Sequence, residues 1–281
     1  MKIVTSKTCW EYRHDAHPES PERVKLVYEY LSDKSFSFLE PKPCTETDLL
    51  TVHTKLMVDK VKTGNYADLD IPIIPRIYDY ALLSAGGALL TANEAVRGNV
   101  SFCLTRPPGH HATRSHFGGF CYFNNIAIAV KSLLKEGKGK IAILDIDCHH
   151  GNGTQSIFQG KEDVLFVSLH QSPLYPGSGL ESVKNCINLP LPAGTQEKDY
   201  LLKLEEALIK IKDFKPAIIA VSAGFDTYKA DPLTDILLDT FTYTKIASMI
   251  KELNLPRFAL LEGGYSADLP ECVYRFLLGF E

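Results

Sequence analysis

Short runs of branched and small apolar residues alternate with longer stretches of helical spacing through most of this chain, and that alternation restricts the fold more than any other feature. The apolar runs occupy residues 2–5, 100–104, 140–147, 164–170, 186–191, 217–223 and 258–262. Helix-like stretches lie at 76–95, 124–135, 199–212 and 236–253. A strand with one wet face alternates apolar and polar residues, whereas 140–147 and 217–223 are apolar at nearly every position, as in strands covered on both faces. Strand, helix, strand in succession means parallel βαβ units, which predicts a doubly wound α/β sheet. With no internal repeat and no long polar linker, residues 1–281 read as a single domain.

Composition excludes several functions. The formal net charge is −4 and no run of Lys or Arg forms a basic patch, so a nucleic-acid partner is not expected. No apolar run approaches the roughly 20 residues that cross a bilayer, and Met1–Trp10 lacks the charged start and apolar core of a signal peptide. The seven cysteines are dispersed with no Cys-x-x-Cys pair, a usage suited to reduced thiols. These features together predict a cytoplasmic protein without membrane contact.

The unusual clusters follow the predicted strands, and open α/β sheets bind ligands beyond the carboxyl ends of their strands. The first is Asp145-Ile146-Asp147-Cys148-His149-His150-Gly151-Asn152-Gly153. In extended chain Asp145, Asp147 and His149 share one face. Three ionisable groups so placed repel or compete unless something binds them, and a metal is the usual answer. A polar strand end with solvated or capping acids is the plain alternative. The second cluster, Ser222-Ala223-Gly224-Phe225-Asp226, adds one carboxylate, which alone would suit a helix N-cap. Asp147, His149 and Asp226 make the three-ligand set of a catalytic zinc site with one position left open. The third, Arg106-Pro107-Pro108-Gly109-His110-His111, sets two histidines on a rigid turn, where they suit acid–base work or a structural role. The fourth, Glu262-Gly263-Gly264-Tyr265, lets backbone approach a ligand closely and offers a phenol to a developing oxyanion, or else is a tight turn beside a packed Tyr.

Together with Gly118-Gly119-Phe120-Cys121-Tyr122-Phe123-Asn124, these motifs occur in an order that resembles the histone deacetylase family, including acetylpolyamine amidohydrolases and related bacterial deacetylases. The Arg-Pro-Pro-Gly-His-His and His-His-Gly-Asn-Gly forms resemble the class II and prokaryotic members, and the likeness runs from about His14 to Tyr265. The resemblance implies an arginase-like fold with a central eight-stranded parallel sheet covered by helices on both faces. It implies zinc, with Fe2+ as the alternative metal, on Asp147, His149 and Asp226. It implies His111 as general base and then acid, paired with Asn152 where class I members carry Asp, and His110 as an electrostatic partner oriented by Asp145. Tyr265 would hold the oxyanion. Gly119, Phe120 and Tyr175 would line the acyl-lysine tunnel, with Leu233 and Asp70 at its rim, and Tyr175 stands where relatives commonly have Phe. A potassium ion would sit on Asp145, Ser168 and the carbonyls of Asp147, His149 and Leu169. The implied substrate is an acylated lysine of a peptide or protein, with acetylpolyamines or another small acylated amine as the alternative. Leu69-Asp70-Ile71-Pro72 resembles an Asp-x-Pro rim segment, and Leu233 replaces the Glu expected of a polyamine-selective relative; both favour lysine. Two rivals are an arginase-type dimanganese enzyme, which needs more bridging carboxylates than 222–226 supplies, and a catalytically silent binding module, which would be expected to have lost a ligand or Tyr265.

Overall fold

The computed structural model describes residues 1–15, 17–66 and 70–281. Its eight strands are β1 (Lys2–Thr5), β2 (Ser37–Leu39), β3 (Ser101–Leu104), β4 (Ile141–Asp145), β5 (Val164–Gln171), β6 (Cys186–Leu191), β7 (Ile218–Ala223) and β8 (Arg257–Leu261). They form one sheet in the order β2-β1-β3-β8-β7-β4-β5-β6, and every pairing is parallel. The helices are α1 (Glu22–Ser32), α2 (Glu46–Leu50), α3 (Lys55–Thr63), α4 (Ile77–Val96), α5 (Asn125–Lys135), α6 (Asn152–Phe158), α7 (Glu197–Phe214), α8 (Thr240–Lys251) and α9 (Leu269–Phe280).

The continuous apolar runs are explained by two cores, one on each face of the sheet. In β4, Ile141 and Ile143 enter one core while Ala142 and Leu144 enter the other. In β7, Ile218 and Ala220 part from Ile219 and Val221 in the same way. Helices α4 and α5 cover the first face with Ala85, Ala88, Ile126 and Val130, whereas α1, α7, α8 and α9 cover the second with Val27, Leu204, Ile246 and Phe276. A strand period of two therefore divides each run between two layers of helices. The Asn124 side chain caps α5 by accepting the Ala127 N–H at 3.0 Å, which starts the helix immediately after the site motif.

Sequence reading placed seven strands within two residues of their observed bounds, but missed β2, α1, α2, α3, α6 and α9. β2 has three residues, too few to show a period. α6 begins inside the glycine-rich Gly151-Asn152-Gly153, a poor helix former by propensity. Glycine is needed at 153 nonetheless, because a Cβ there would overlap the Ala112 backbone. The stretch 236–253 becomes helical only at Thr240, since Asp239 is extended. The seven cysteines are all buried and free. Among the described residues, no helix is long and apolar enough to cross a membrane.

Candidate active site

Four adjacent central strands, β3, β8, β7 and β4, each lead from their carboxyl ends into one of the sequence clusters. The tertiary fold thus brings residues 106–111, 262–265, 222–226 and 145–153 to one place. A cavity of about 250 Å³ opens there, lined among others by Asp70, His110, His111, Gly119, Phe120, Asp147, His149, Tyr175, Leu233 and Tyr265. Leu69, which precedes Asp70 in its motif, lies outside the described residues.

At the cavity floor the side chains of Asp147, His149 and Asp226 form a group whose candidate ligand atoms all lie within 4.8 Å of one another. Strand alternation does not align Asp145, Asp147 and His149. β4 ends at Asp145, and Asp147 and His149 lie in bends beyond it. They converge because backbone amides turn them. The Asp145 carboxylate accepts the Asp147 N–H at 3.1 Å, and Asp147 Oδ1 accepts the His149 N–H at 2.9 Å.

Backbone amides hold both candidate carboxylates, Asp147 through both oxygens and Asp226 through one. Asp147 Oδ2 accepts the Gly263 N–H at 2.7 Å, and Asp226 Oδ1 accepts the Cys148 N–H at 2.8 Å. The other oxygens, Asp147 Oδ1 and Asp226 Oδ2, lie 3.1 and 2.8 Å from His149 Nδ1. A Cβ at Gly263 would come within 2.5 Å of both carboxylates, so this position has no room for a side chain.

Both carboxylates are fully buried. Burial, with the neighbouring Asp147 charge, pushes Asp226 up to about 7. Burial also works against ionised Asp147, but His110 and His149 outweigh it and hold this carboxyl low. Two buried acids that meet at one imidazole nitrogen need a positive charge there: against its burial they hold His149 up at about 10, and a bound cation could fill the same need. Two carboxylate oxygens and an imidazole nitrogen suit zinc or Fe2+. The residues fit a metal.

The paired histidines are driven apart in charge. His110 Nδ1 lies 3.0 Å from Asp145 Oδ2, and its Nε2 lies 3.7 Å from Asp147 Oδ1. Burial opposes a charge on His110, but the Asp147 and Asp145 carboxylates prevail and raise it to about 10. His111 instead faces a neutral amide, its Nδ1 being 2.8 Å from Asn152 Oδ1. Burial, then the His110 and His149 charges, push His111 well below its ordinary range. The cation is favoured on one imidazole and the neutral form on its neighbour, a separation that acid–base sites use.

The walls are equally determined. Gly119 and Phe120 both adopt left-handed backbone, at φ +53° and +67°. A side chain at Gly119 would overlap the His111 ring, so glycine is required there on two counts. The Phe120 ring meets Tyr265 edge-on at 5.8 Å, and Tyr175 meets His111 edge-on at 5.1 Å. Phe120 and Tyr175 both line the cavity. At the end of β4, Asp145 pairs in register with Ser168 on β5. The Ser168 hydroxyl already bonds His170 Nδ1 at 2.9 Å.

Several residues essential to this arrangement escaped sequence reading. Glu262 was noted only within its motif, yet its carboxylate accepts the Gly109 and His110 N–H groups at 2.7 and 3.2 Å and the Ser222 hydroxyl at 3.2 Å, joining three clusters. Glu19 takes a two-point ion pair from Arg106 at 2.7 and 2.8 Å. Arg23 pairs with Glu19 at 3.3 Å, donates to the Gly264 and Glu262 carbonyls, and lies over the Tyr265 ring at 4.6 Å. Removing one partner from such a buried charge network typically costs about 3–5 kcal/mol. The one sequence signal was the charges Glu19, Glu22 and Arg23 in the proline-containing segment His17-Pro18-Glu19-Ser20-Pro21-Glu22-Arg23, and Arg106 lies far along the chain.

Comparison with known proteins decides the family. The histone deacetylase domain matches residues 17–278. The chain belongs to the histone deacetylase family. It is 39% identical over 279 residues to a probable deacetylase of Archaeoglobus fulgidus, covering 90% of this chain and 77% of that one. It is also 39% identical over 220 residues to acetylpolyamine amidohydrolase 2 of Pseudomonas aeruginosa, covering 74% of this chain and 64% of the relative. Among solved structures, the acetylpolyamine aminohydrolase of Burkholderia pseudomallei superposes with a TM-score of 0.94 at 27% identity, covering 100% and 98% of the two chains. This family member is a deacetylase-type amide hydrolase with the eight-stranded parallel fold of its relatives.

Proposed function

We propose that this deacetylase is zinc-dependent and acts on acyl-lysine side chains. The observation that carries the reading is one cavity lined by Asp147, His149, a His111 favoured as neutral and the Tyr265 phenol, with Asp226 completing the candidate ligand group beside it and Asp70 and Leu233 also on its wall. Zinc, or Fe2+ in its place, held by Asp147, His149 and Asp226 would polarise the amide carbonyl and acidify a water.

The chain's own groups complete the chemistry. With Nδ1–H donated to Asn152 Oδ1, His111 keeps the Nε2 lone pair available to take a proton from the attacking water and pass it to the leaving amine. His110, held cationic by its acids, keeps positive charge beside the reacting carbonyl. Burial pushes the Tyr265 phenol well above its usual range, so it stays an O–H donor to the oxyanion. The second ion, potassium, belongs to the same reading, at the adjoining ends of β4 and β5 with Asp145, Ser168 and the carbonyls of Asp147, His149 and Leu169.

Asn152 offers a test of the base. A carboxylate there would raise the pKa of His111, since a nearby negative charge favours imidazolium. His111 must be unprotonated to act, so activity falls as pH drops through its pKa. Asn152→Asp should therefore move the acid limb of the kcat/KM profile to higher pH by roughly 1 unit or more. An unmoved acid limb would remove His111 from the base role.

The substrate assignment rests on the rim. An Asp can accept the peptide N–H groups flanking an acyl-lysine, and an apolar Leu233 gives no anchor to a second ammonium. A hydrogen bond to a charged group contributes about 1.5–3 kcal/mol, so Asp70→Ala should lower kcat/KM on an acetyl-lysine peptide by about 10–100-fold and leave N-acetylputrescine nearly unchanged. The second reading, hydrolysis of acetylpolyamines, draws support from the names of the Pseudomonas and Burkholderia relatives and from the polar Tyr175 in the wall. Faster wild-type turnover of N-acetylputrescine than of the peptide would establish that reading instead.

A further inference from the structure

The segment 231–235 carries Leu233 to the cavity wall and is fixed to the rest of the site at three points. Asp231 Oδ2 accepts the Tyr265 N–H at 2.7 Å, and its Oδ1 accepts the Leu233 N–H at 3.0 Å. The Thr234 hydroxyl donates to the Asp226 carbonyl. The third point is Gln171, a buried amide at the end of β5. Its Oε1 accepts the Asp235 N–H at 2.8 Å, and its Nε2 donates to Asp235 Oδ2 at 3.0 Å. Gln171 also reaches the metal-site loop, since its backbone N–H donates to the Cys148 carbonyl at 2.8 Å and its Oε1 faces Cys148 Sγ at 3.7 Å.

We propose that Gln171 is a positioning residue that sets Leu233 relative to the metal site, and so fixes affinity for the part of a substrate beyond its acylated amine. The inference builds on the amide-hydrolase reading of this cavity. A buried amide has no water to satisfy it, so both its ends must find partners, and here both find the same residue. That two-point match to Asp235, with one bond charge-assisted, fixes direction as well as distance. The backbone bond to Cys148 ties the same residue to the loop between Asp147 and His149. Gln171 is thus one of three ties that hold rim and floor in register, its side chain on the rim and its backbone on the floor. The other two anchors do not involve Gln171, so losing its contact frees one end of the rim without dismantling the site.

The test is a pair of substitutions read on two kinds of substrate. Gln171→Glu keeps the shape but places a second acceptor against Asp235 Oδ2, and two carboxylates in contact repel. Adding Asp235→Asn restores a donor across the same gap. With the metal-loaded enzyme, Gln171→Glu should raise KM for an acetyl-lysine peptide by about tenfold, in the range seen when a supporting partner of a site residue is lost. Metal content, kcat and the kinetics of a minimal N-acetylalkylamine that ends within the cavity should stay near wild type. The double variant should recover most of the peptide KM. Asp235→Ala, at an exposed position, should show the same split and serves if Gln171→Glu does not fold. An unchanged peptide KM in Gln171→Glu or Asp235→Ala overturns the proposal. So do equal losses on both substrates with loss of metal, and a double variant no better than the single one. If the wild type does not turn over the peptide, the substrate reading fails by itself. The clamp is then judged on an N-acetylated triamine, which also extends past the rim.

Discussion

Asp147→Ala is expected to leave a folded protein that binds no catalytic metal and has no measurable deacetylase activity, and His149→Ala is expected to do the same. These two residues and Asp226 supply every atom of the candidate metal group among the described residues. A catalytic site of three protein ligands has none to spare. The loss should exceed the roughly 10–100-fold typical of residues that only support a ligand. Asp147 also accepts the Gly263 and His149 N–H groups, so its removal loosens the floor as well. His149→Ala removes a ligand while leaving both carboxylates and their backbone bonds in place, which makes it the cleaner case. Metal analysis of the purified variants beside the wild type checks the expectation. Wild-type metal content and turnover in both variants would remove these residues from the metal site.

Tyr265→Phe is expected to retain its metal and its fold while losing on the order of 10²–10³ in kcat, the usual effect of deleting one oxyanion donor. The structure makes this substitution conservative in every respect except the hydroxyl. The Arg23 guanidinium lies over the ring and Phe120 packs edge-on against it, and Phe preserves both contacts. The Tyr265 backbone N–H is held by Asp231 whatever the side chain. Thermal unfolding and metal content should therefore match the wild type, with KM little changed. Near-normal kcat in this variant would reduce Tyr265 to a packed aromatic.

Parallel β-structure and the candidate metal group were legible because each strand and the cluster that follows it are written locally. A strand buried on two faces must be apolar at successive positions, so β4 and β7 declare themselves in 140–147 and 217–223. Ligands that follow such strands sit at the carboxyl edge of the sheet by topology alone. Asp147, His149, Asp226, His110, His111 and Tyr265 could therefore be named without knowing how the strands were ordered. The short edge strand β2 and the glycine-rich α6 could not, because tertiary contacts override their weak local preferences.

The supporting polar residues belong to the tertiary structure alone. Glu19 meets Arg106 across 87 residues, Glu262 meets Gly109 across 153, and Gln171 meets Asp235 across 64. Nothing in the local sequence distinguishes such a carboxylate or amide from one on the surface. Its role arises only when folding removes water and leaves one partner in reach. The charges of the two histidines were decided in the same way. His110 and His111 are identical and adjacent in sequence, and only the fold puts a carboxylate against one and an amide against the other. Residue type and position after a strand name the candidates for the chemistry. Which of them the fold favours as charged, and what holds them in place, follows from long-range contacts, because burial converts weak polar preferences into obligatory pairings.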